Sequence, residues 1–375
     1  MKLPRAFIIF TTLAITANLT AVAYADDASP SSDGQSRNFH YIGFRSHGDP
    51  VNEPVLSNDQ GSSSDLTPVA DQFGGDQGWL NRLSASSNSK TPNGYYLPAG
   101  SPANNPISCH NSCQTLTGTI ALIPVWVGNW AAADVTNWSN VLGNIVTSLG
   151  GAAANSVALP GHVFNTDSLY FTSQSLTPPS LQWVKNIDIT DPTTTSVSDY
   201  DVSTHINNFI TAHPGIVPAG TSPVYIYIGA NSTLLTSGFG TKYCGWHTYG
   251  APNWGGLANV PFIAFQDFTS AYNRACAAQT SSPNGSASLD AMASVMVHEV
   301  DEVLTDPFLG AWYDVNGAES ADKCVRVWGT VYVIGTAHYN VQLGSLKYLI
   351  QQSWLENNIV TPTGITSGLA CSLAG

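Results

Sequence analysis

Charge is what this chain has least of. Lys, Arg, Asp and Glu make up 10% of its 375 residues, with 12 basic against 25 acidic side chains and a formal net charge of −13. So few cations in a net-negative chain exclude non-specific binding to nucleic acid or to anionic membranes as its role. Beyond the N-terminus no apolar run approaches the roughly 20 residues that a membrane-spanning helix needs. There is no G-x-S-x-G, and Gly-rich spots such as Gly238-Phe239-Gly240 lack the context of a phosphate-binding loop. No repeat of solenoid period is present. The zinc-peptidase string H-E-x-x-H is missing as well.

What is present begins with the marks of export. Lys2 and Arg5 lead into a largely apolar stretch, Ala6 to Ala23, and Ala23-Tyr24-Ala25 offers an A-x-A cleavage site before Asp26. Thr and Asn interrupt the stretch and weaken it as a permanent anchor. The expectation is a signal peptide at 1–25 and a mature protein that is secreted, extracellular and without a stable membrane span. Six cysteines suit an oxidising compartment and allow fifteen complete pairings. Cys109 and Cys113 flank a short polar loop, Cys244 and Cys276 bracket a strand-and-loop region, and Cys324 with Cys371 would tie the C-terminus back. A free or metal-binding Cys324 is the alternative.

Residues 26–115 are rich in Ser, Asn, Asp, Gly and Pro and read as an irregular arm with a few anchoring aromatics. From Leu116 the texture changes. Thr119 to Trp126 reads as a buried strand whose Pro124 pushes it toward an edge or a bulge. Val135, Trp138, Val141, Leu142, Ile145, Val146 and Leu149 recur at helical spacing, which predicts a helix over 134–149 closed by Gly150-Gly151. Strands are predicted at 181–189, 223–228 and 260–265, and helices at 202–212, 291–304 and 346–357. Alternating strands and helices point to an α/β (α+β) layered domain over 116–375 with a mixed sheet. A sheet followed by a histidine-bearing helix is also the layout of zincin catalytic domains, so a zincin-like arrangement is the expectation.

The chemistry concentrates in the helix at 291–304. His298-Glu299-Val300-Asp301-Glu302 is H-E-x-x-E, one letter from H-E-x-x-H. Residues four apart project about 40° from one another around a helix, so His298 and Glu302 share a face. In the peptidase motif the i and i+4 residues hold zinc and the intervening Glu is the general base. Carboxylate oxygen binds zinc at about 2.0–2.2 Å, so Glu302 keeps a ligand at the second position. Glu299 is the candidate catalytic base. A third ligand must come from elsewhere: Phe308 stands where the long-spaced metzincin pattern needs His, which leaves Glu319 or Asp322, with Asp314 close by. Several carboxylates with one His also suit calcium or manganese in place of zinc. Asp301 is expected to face solvent and Asp306, before Pro307, to cap a turn. His247, in Cys244-Gly245-Trp246-His247, is either a structural histidine or a group that reaches the site. Tyr313 and Asp314 are further candidates for its surroundings. Trp126, Trp130, Trp246, Trp254 and Trp312 either build core or stack on sugars.

These strings together resemble one family. His298-Glu299-x-x-Glu302, Thr305-Asp306-Pro307, Ala311-Trp312-Tyr313 and Glu319-x-x-Asp322-x-Cys324 resemble the signature of the EXORDIUM, or phosphate-induced protein, family. Val125-Trp126-Val127-Gly128-Asn129-Trp130 and Cys244-Gly245-Trp246-His247 resemble two of its upstream elements. The resemblance covers 116–375. It implies secretion and an extracellular or cell-wall role, linked in plants to cell expansion and growth signalling; it does not imply an established catalytic activity. The chain departs from the plant pattern where a cysteine doublet is reduced to Cys276, and where Val325 to Ile334 runs on as apolar strand in place of a glycine-rich insert. These departures favour a bacterial-like branch. Two functions follow as expectations: metal-dependent hydrolysis of a peptide or amide in an extracellular protein, or non-catalytic binding to wall polysaccharide or a receptor, or growth signalling, around a structural ion or a degenerate site that keeps the helix only for packing.

Overall fold

Consecutive apolar residues, rather than alternating ones, build the strands of the central sheet, and such strands need cover on both faces. The computed structural model describes residues 40–42, 107–110, 113–150, 164, 170–236, 239, 243–267, 276–277, 279, 281–313, 319–324, 328, 331–355 and 370–372. All of them fall in one unit, Asn38–Gly375. The expected signal peptide, most of the arm and Asp314 lie outside the described residues.

In chain order the strands are β1 (His40–Ile42), β2 (Ser108–Cys109), β3 (Thr119–Val127), β4 (Ser180–Trp183), β5 (Ile189–Thr190), β6 (Ser196–Val197), β7 (Ser222–Gly229), β8 (Leu234–Leu235), β9 (Gly245–Tyr249), β10 (Pro261–Gln266) and β11 (Trp312–Tyr313). Among the described residues the longer helices are α1 (Ala132–Ile145), continued by a π-helical turn over Val146–Gly150, α2 (Val202–Ala212) and α3 (Ala287–Thr305). A seven-stranded sheet runs in the order β1-β9-β10-β7-β3-β4, with β5 also paired to β3. Neighbours from β10 to β4 are parallel, whereas β9 and β1 are antiparallel additions at one edge. The architecture is mixed α/β. Helices α1 and α3 touch each other, α3 lies along β9 and β10, and α2 packs near β3, β5 and β7.

Two stretches from the segment expected as an arm are strands. β1 pairs with β9, placing His40 opposite His247, and β2 pairs with β11. Short hairpins follow: β12 (Tyr332–Ile334) with β13 (Ala337–Tyr339), and β14 (Val341–Leu343) with β15 (Leu346–Tyr348). β16 (Ser353–Leu355) pairs with β17 (Ala370–Ser372).

Several expectations need correction. Among the described residues of the stretch 346–357 no helix is present, and strands β15 and β16 stand in its place. Tyr348 to Trp354 is buried without a break. Its backbone bonds go outward, from Ile350 N to Asn340 Oδ1, Gln351 N to Ser294 Oγ and Trp354 N to Ser320 O. Partners far along the chain replace the i→i−4 ladder. Pro124 does not put β3 at an edge. It sits in an interior strand, opposite the break between β4 and β5, where Asn186 Nδ2 donates to its carbonyl. No neighbouring strand asks for the N–H that proline lacks. The strand expected over 181–189 is this broken pair. Among the described residues of the apolar run over 325–334, the strand is β12, three exposed residues.

The helix of interest is more buried than its pattern implies. Ser286 caps α3 by accepting from Leu289 N, and every residue from Ser288 to Thr305 is buried. Asp301, expected in solvent, is 1% exposed, because α3 is wrapped on all sides. Trp126, Trp130, Trp246 and Trp312 are likewise core residues, and Trp254 is half-buried with its ring edge-on to Tyr200. Their rings are spent on packing, which leaves no exposed tryptophan platform for sugar among these five. No helix among the described residues is long and apolar enough to cross a membrane.

The six cysteines pair as Cys109–Cys113, Cys244–Cys276 and Cys324–Cys371. The last closes the longest loop, a separation of 47 residues. Replacing Cys324 and Cys371 together by Ser is expected to lower stability by roughly 2–4 kcal/mol, read from urea unfolding against the parent protein.

Candidate metal centre

Three stretches of chain converge on one buried cluster. The first is α3, where His298, Glu299 and Glu302 occupy consecutive turns. The second is β9, which carries His247. The third is the segment 319–324, ending in a single 3₁₀ turn at Asp322–Cys324.

The approach of α3 to β9 depends on Gly245. A Cβ built there would lie 2.7 Å from Val295 Cγ1 and 2.8 Å from Glu299 Oε1. Val295 and Glu299 are four apart, so this helical face rests on bare backbone. The close seat brings Glu299 Oε2 within 3.2 Å of His247 Nδ1. Glu302 Oε2 lies 3.5 Å from the same nitrogen. On the other side of the ring, His247 Nε2 faces Glu319 Oε2 at 3.6 Å.

His298 meets a second set of groups. Its Nε2 lies 3.1 Å from Glu302 Oε1 and 3.4 Å from Asp322 Oδ1. Its Nδ1 is 3.0 Å from Gln351 Nε2, which also donates to Ala321 O at 2.6 Å. The 319–324 segment is held in place by hydrogen bonds. Asp322 N donates to Glu302 Oε1, Glu319 N to Asp322 Oδ2, and Trp354 N to Ser320 O. The Cys324–Cys371 disulfide closes its end.

All six ionisable side chains are buried, the most exposed being Asp322 at 6%. Burial alone would push both imidazoles down. The surrounding carboxylates outweigh it: Glu319, Glu299 and Glu302 raise His247 to about 10, and Glu302 and Asp322 hold His298 well above the usual histidine range. Burial drives Glu299 up to about 7, with the hydrogen bond from His247 opposing and the charge of Glu302 assisting. Four carboxylates gather around two imidazoles here in a low-dielectric setting, where a bound cation would be stabilised.

The spacing of the donors suits such a cation. Ligands about 2.1 Å from a tetrahedral metal stand roughly 3.4 Å from each other. The contacts of 3.1 and 3.4 Å around His298 match those edges. Donor atoms of His298, Glu302 and Asp322 all fall within 4.8 Å of one another, and those of His247, Glu299 and Glu302 do the same. A ligand role for His298 Nε2 would put the ring proton on Nδ1, and Gln351 would accept from it only with its amide turned, giving up the bond to Ala321 O.

The sequence-derived residues distribute as follows. His298, Glu299, Glu302, Glu319 and Asp322 come together, and His247 joins them from a strand rather than resting in a turn. Tyr313 stands apart, stacked on His110 with ring centres 3.9 Å apart. Burial raises its hydroxyl, and the charges of Asp306 and Glu319 add to that. Asp306 caps a turn, its Oδ1 accepting from Gly310 N and Ala311 N. Phe308 packs edge-on against Tyr249. Gln351 carried no signal in the sequence.

A family model described as the phosphate-induced protein 1 conserved region matches residues 107–354, a span that holds the whole cluster. The chain is similar to Protein EXORDIUM-like 3 of Arabidopsis thaliana, with 24% identity over 275 residues, covering 66% of this chain and 79% of that protein. No solved structure matches.

Two outcomes are expected. In protein stripped of metal, the raised His247 contributes stability that is complete below about pH 6.5 and is lost as pH climbs toward about 10. Glu299, raised from 4.5 to about 7, subtracts stability as pH rises through that window. The thermal midpoint of the stripped protein therefore falls between about pH 6 and pH 9, and His247→Asn makes the fall shallower. Separately, Gly245→Ala forces Val295 and Glu299 off β9 and lowers stability by about 1–3 kcal/mol in chemical unfolding.

Proposed function

The chain belongs to the phosphate-induced protein 1 family, the EXORDIUM group, and from that premise and the buried cluster we propose a secreted, extracellular protein built around a divalent metal ion. His298, Glu302 and Asp322 would hold the ion, and Gln351 would orient His298. The observation that carries this reading is the burial of six converging ionisable groups beside one another. The mixed nitrogen and oxygen donor set favours zinc or manganese over calcium, which takes oxygen ligands.

The same burial favours a structural ion over an open hydrolytic site. A hydrolase keeps one metal position open to substrate, whereas segment 319–324 lies across this cluster and is tied down by backbone bonds and a disulfide. The metal would fasten this segment to α3. The surface so braced would serve extracellular binding, to a protein or to cell-wall polysaccharide, in keeping with the family.

One observation favours a second reading, a zincin-like metal-dependent hydrolase of peptide or amide bonds. Glu299 is adjacent to His298 and its carboxyl sits near 7, where a general base works best. A zinc ion bound at His298 supplies polarisation of a carbonyl and acidification of water. Glu299 would take up the proton and return it to the leaving nitrogen, and the 319–324 segment would have to open.

Elemental mass spectrometry of the mature protein, purified without chelator, tests the first reading. Stoichiometric zinc or manganese, lost on chelation together with a fall in thermal midpoint of several degrees, is expected. A metal-free protein whose midpoint ignores both chelator and added metal overturns it. Gln351→Leu is expected to weaken metal affinity about 10–100-fold by titration. For the second reading, Glu299→Gln abolishes any amide hydrolysis the protein shows; hydrolysis that survives the change removes Glu299 as the base.

A further inference from the structure

The cluster contains more donors than one ion can use. His298 with Glu302 and Asp322 forms one convergent set, and His247 with Glu299 and Glu302 forms another. Glu302 belongs to both, with one oxygen directed to each. Its Oε1 faces His298 Nε2, and its Oε2 faces His247 Nδ1. A carboxylate presented in this way is a bridge between two cation positions.

Resting on the metal centre put forward above, we propose that the cluster holds two divalent cations bridged by Glu302, the second bound by His247 Nδ1, Glu299 and Glu302 Oε2. Three observations carry the second position. His247 Nδ1 stands 3.2 and 3.5 Å from the oxygens of Glu299 and Glu302, the edge lengths of a coordination shell. Glu299 is 0% exposed, and its Oε1 has no hydrogen-bond partner. The ring tautomer also agrees. With Nδ1 as ligand, Nε2 would carry the proton and face Glu319 Oε2 at 3.6 Å, just beyond hydrogen-bond length. A carboxylate behind a ligating histidine is the usual support for such a ligand.

Glu299, Glu302, Glu319 and Asp322 offer up to four negative charges among these side chains, the number that two divalent ions carry. Paired sites of this kind place their metals roughly 3.5–4 Å apart, close enough for a shared carboxylate to span. Zinc or manganese suits the donors of both positions. In this arrangement Glu299 is a metal ligand, not a free base.

The test begins with the mature protein reconstituted in zinc and freed of excess ion. Two zinc ions per chain are expected by elemental mass spectrometry. One per chain overturns the bridged pair and leaves the single-ion reading standing; none overturns both. In the variants, His247→Ala and Asp322→Asn are each expected to retain one ion of the two, and Glu302→Gln to bind neither tightly. Because these changes fall in the core, a measurement on the unaltered chain stands beside them. Loaded with manganese, the parent protein is expected to give the exchange-coupled electron paramagnetic resonance spectrum of a bridged pair. The six-line signal of isolated manganese at full loading overturns the proposal.

Discussion

Everything about this site depends on a negative cluster being held away from water. In an environment of low polarity, opposite charges attract strongly and an unbalanced charge is penalised as strongly. Here α3 is wrapped on all sides, so its carboxylates have no route to solvent and must find partners inside the protein. The two imidazoles meet part of that need. The backbone N–H of Asp322, directed at Glu302, meets another part. This requirement explains why residues from a strand, a helix and a distant turn converge on a few ångströms.

Much of the framework was readable because the strands are continuous apolar runs and α1 and α2 have regular periodicity. Helix α2 was expected over 202–212 and spans Val202–Ala212. The failures lie where local pattern gives way to long-range contacts. The stretch 346–357 has the composition of a helix, yet its backbone bonds to Asn340, Ser294 and Ser320 from outside the segment. Pro124 reads as an edge signal, and only the interruption of the neighbouring strand reveals why an interior position accepts it. Neither partner set is visible within a window of ten residues.

The site was legible to the same degree. His298, Glu299 and Glu302 announce themselves by spacing on one helix, and Glu319 and Asp322 stand out as carboxylates a short distance downstream. His247 is separated from Glu299 by 52 residues, and nothing local says that its ring turns toward α3. The glycine beside it held the clue: Gly245 leaves the space into which Glu299 settles. Gln351 was invisible, being one amide among many until the fold brings it to His298.

β9, the strand that bears His247, is not left as the border of the main sheet, because β1 lies beside it in antiparallel register. A long open strand offers a row of unsatisfied amides to any passing chain and invites one molecule to add to the next. With β1 in place, the outer strand on that side is three residues long among the described residues. The net charge of −13 already repels copies from one another, and a short border gives them little to stack upon.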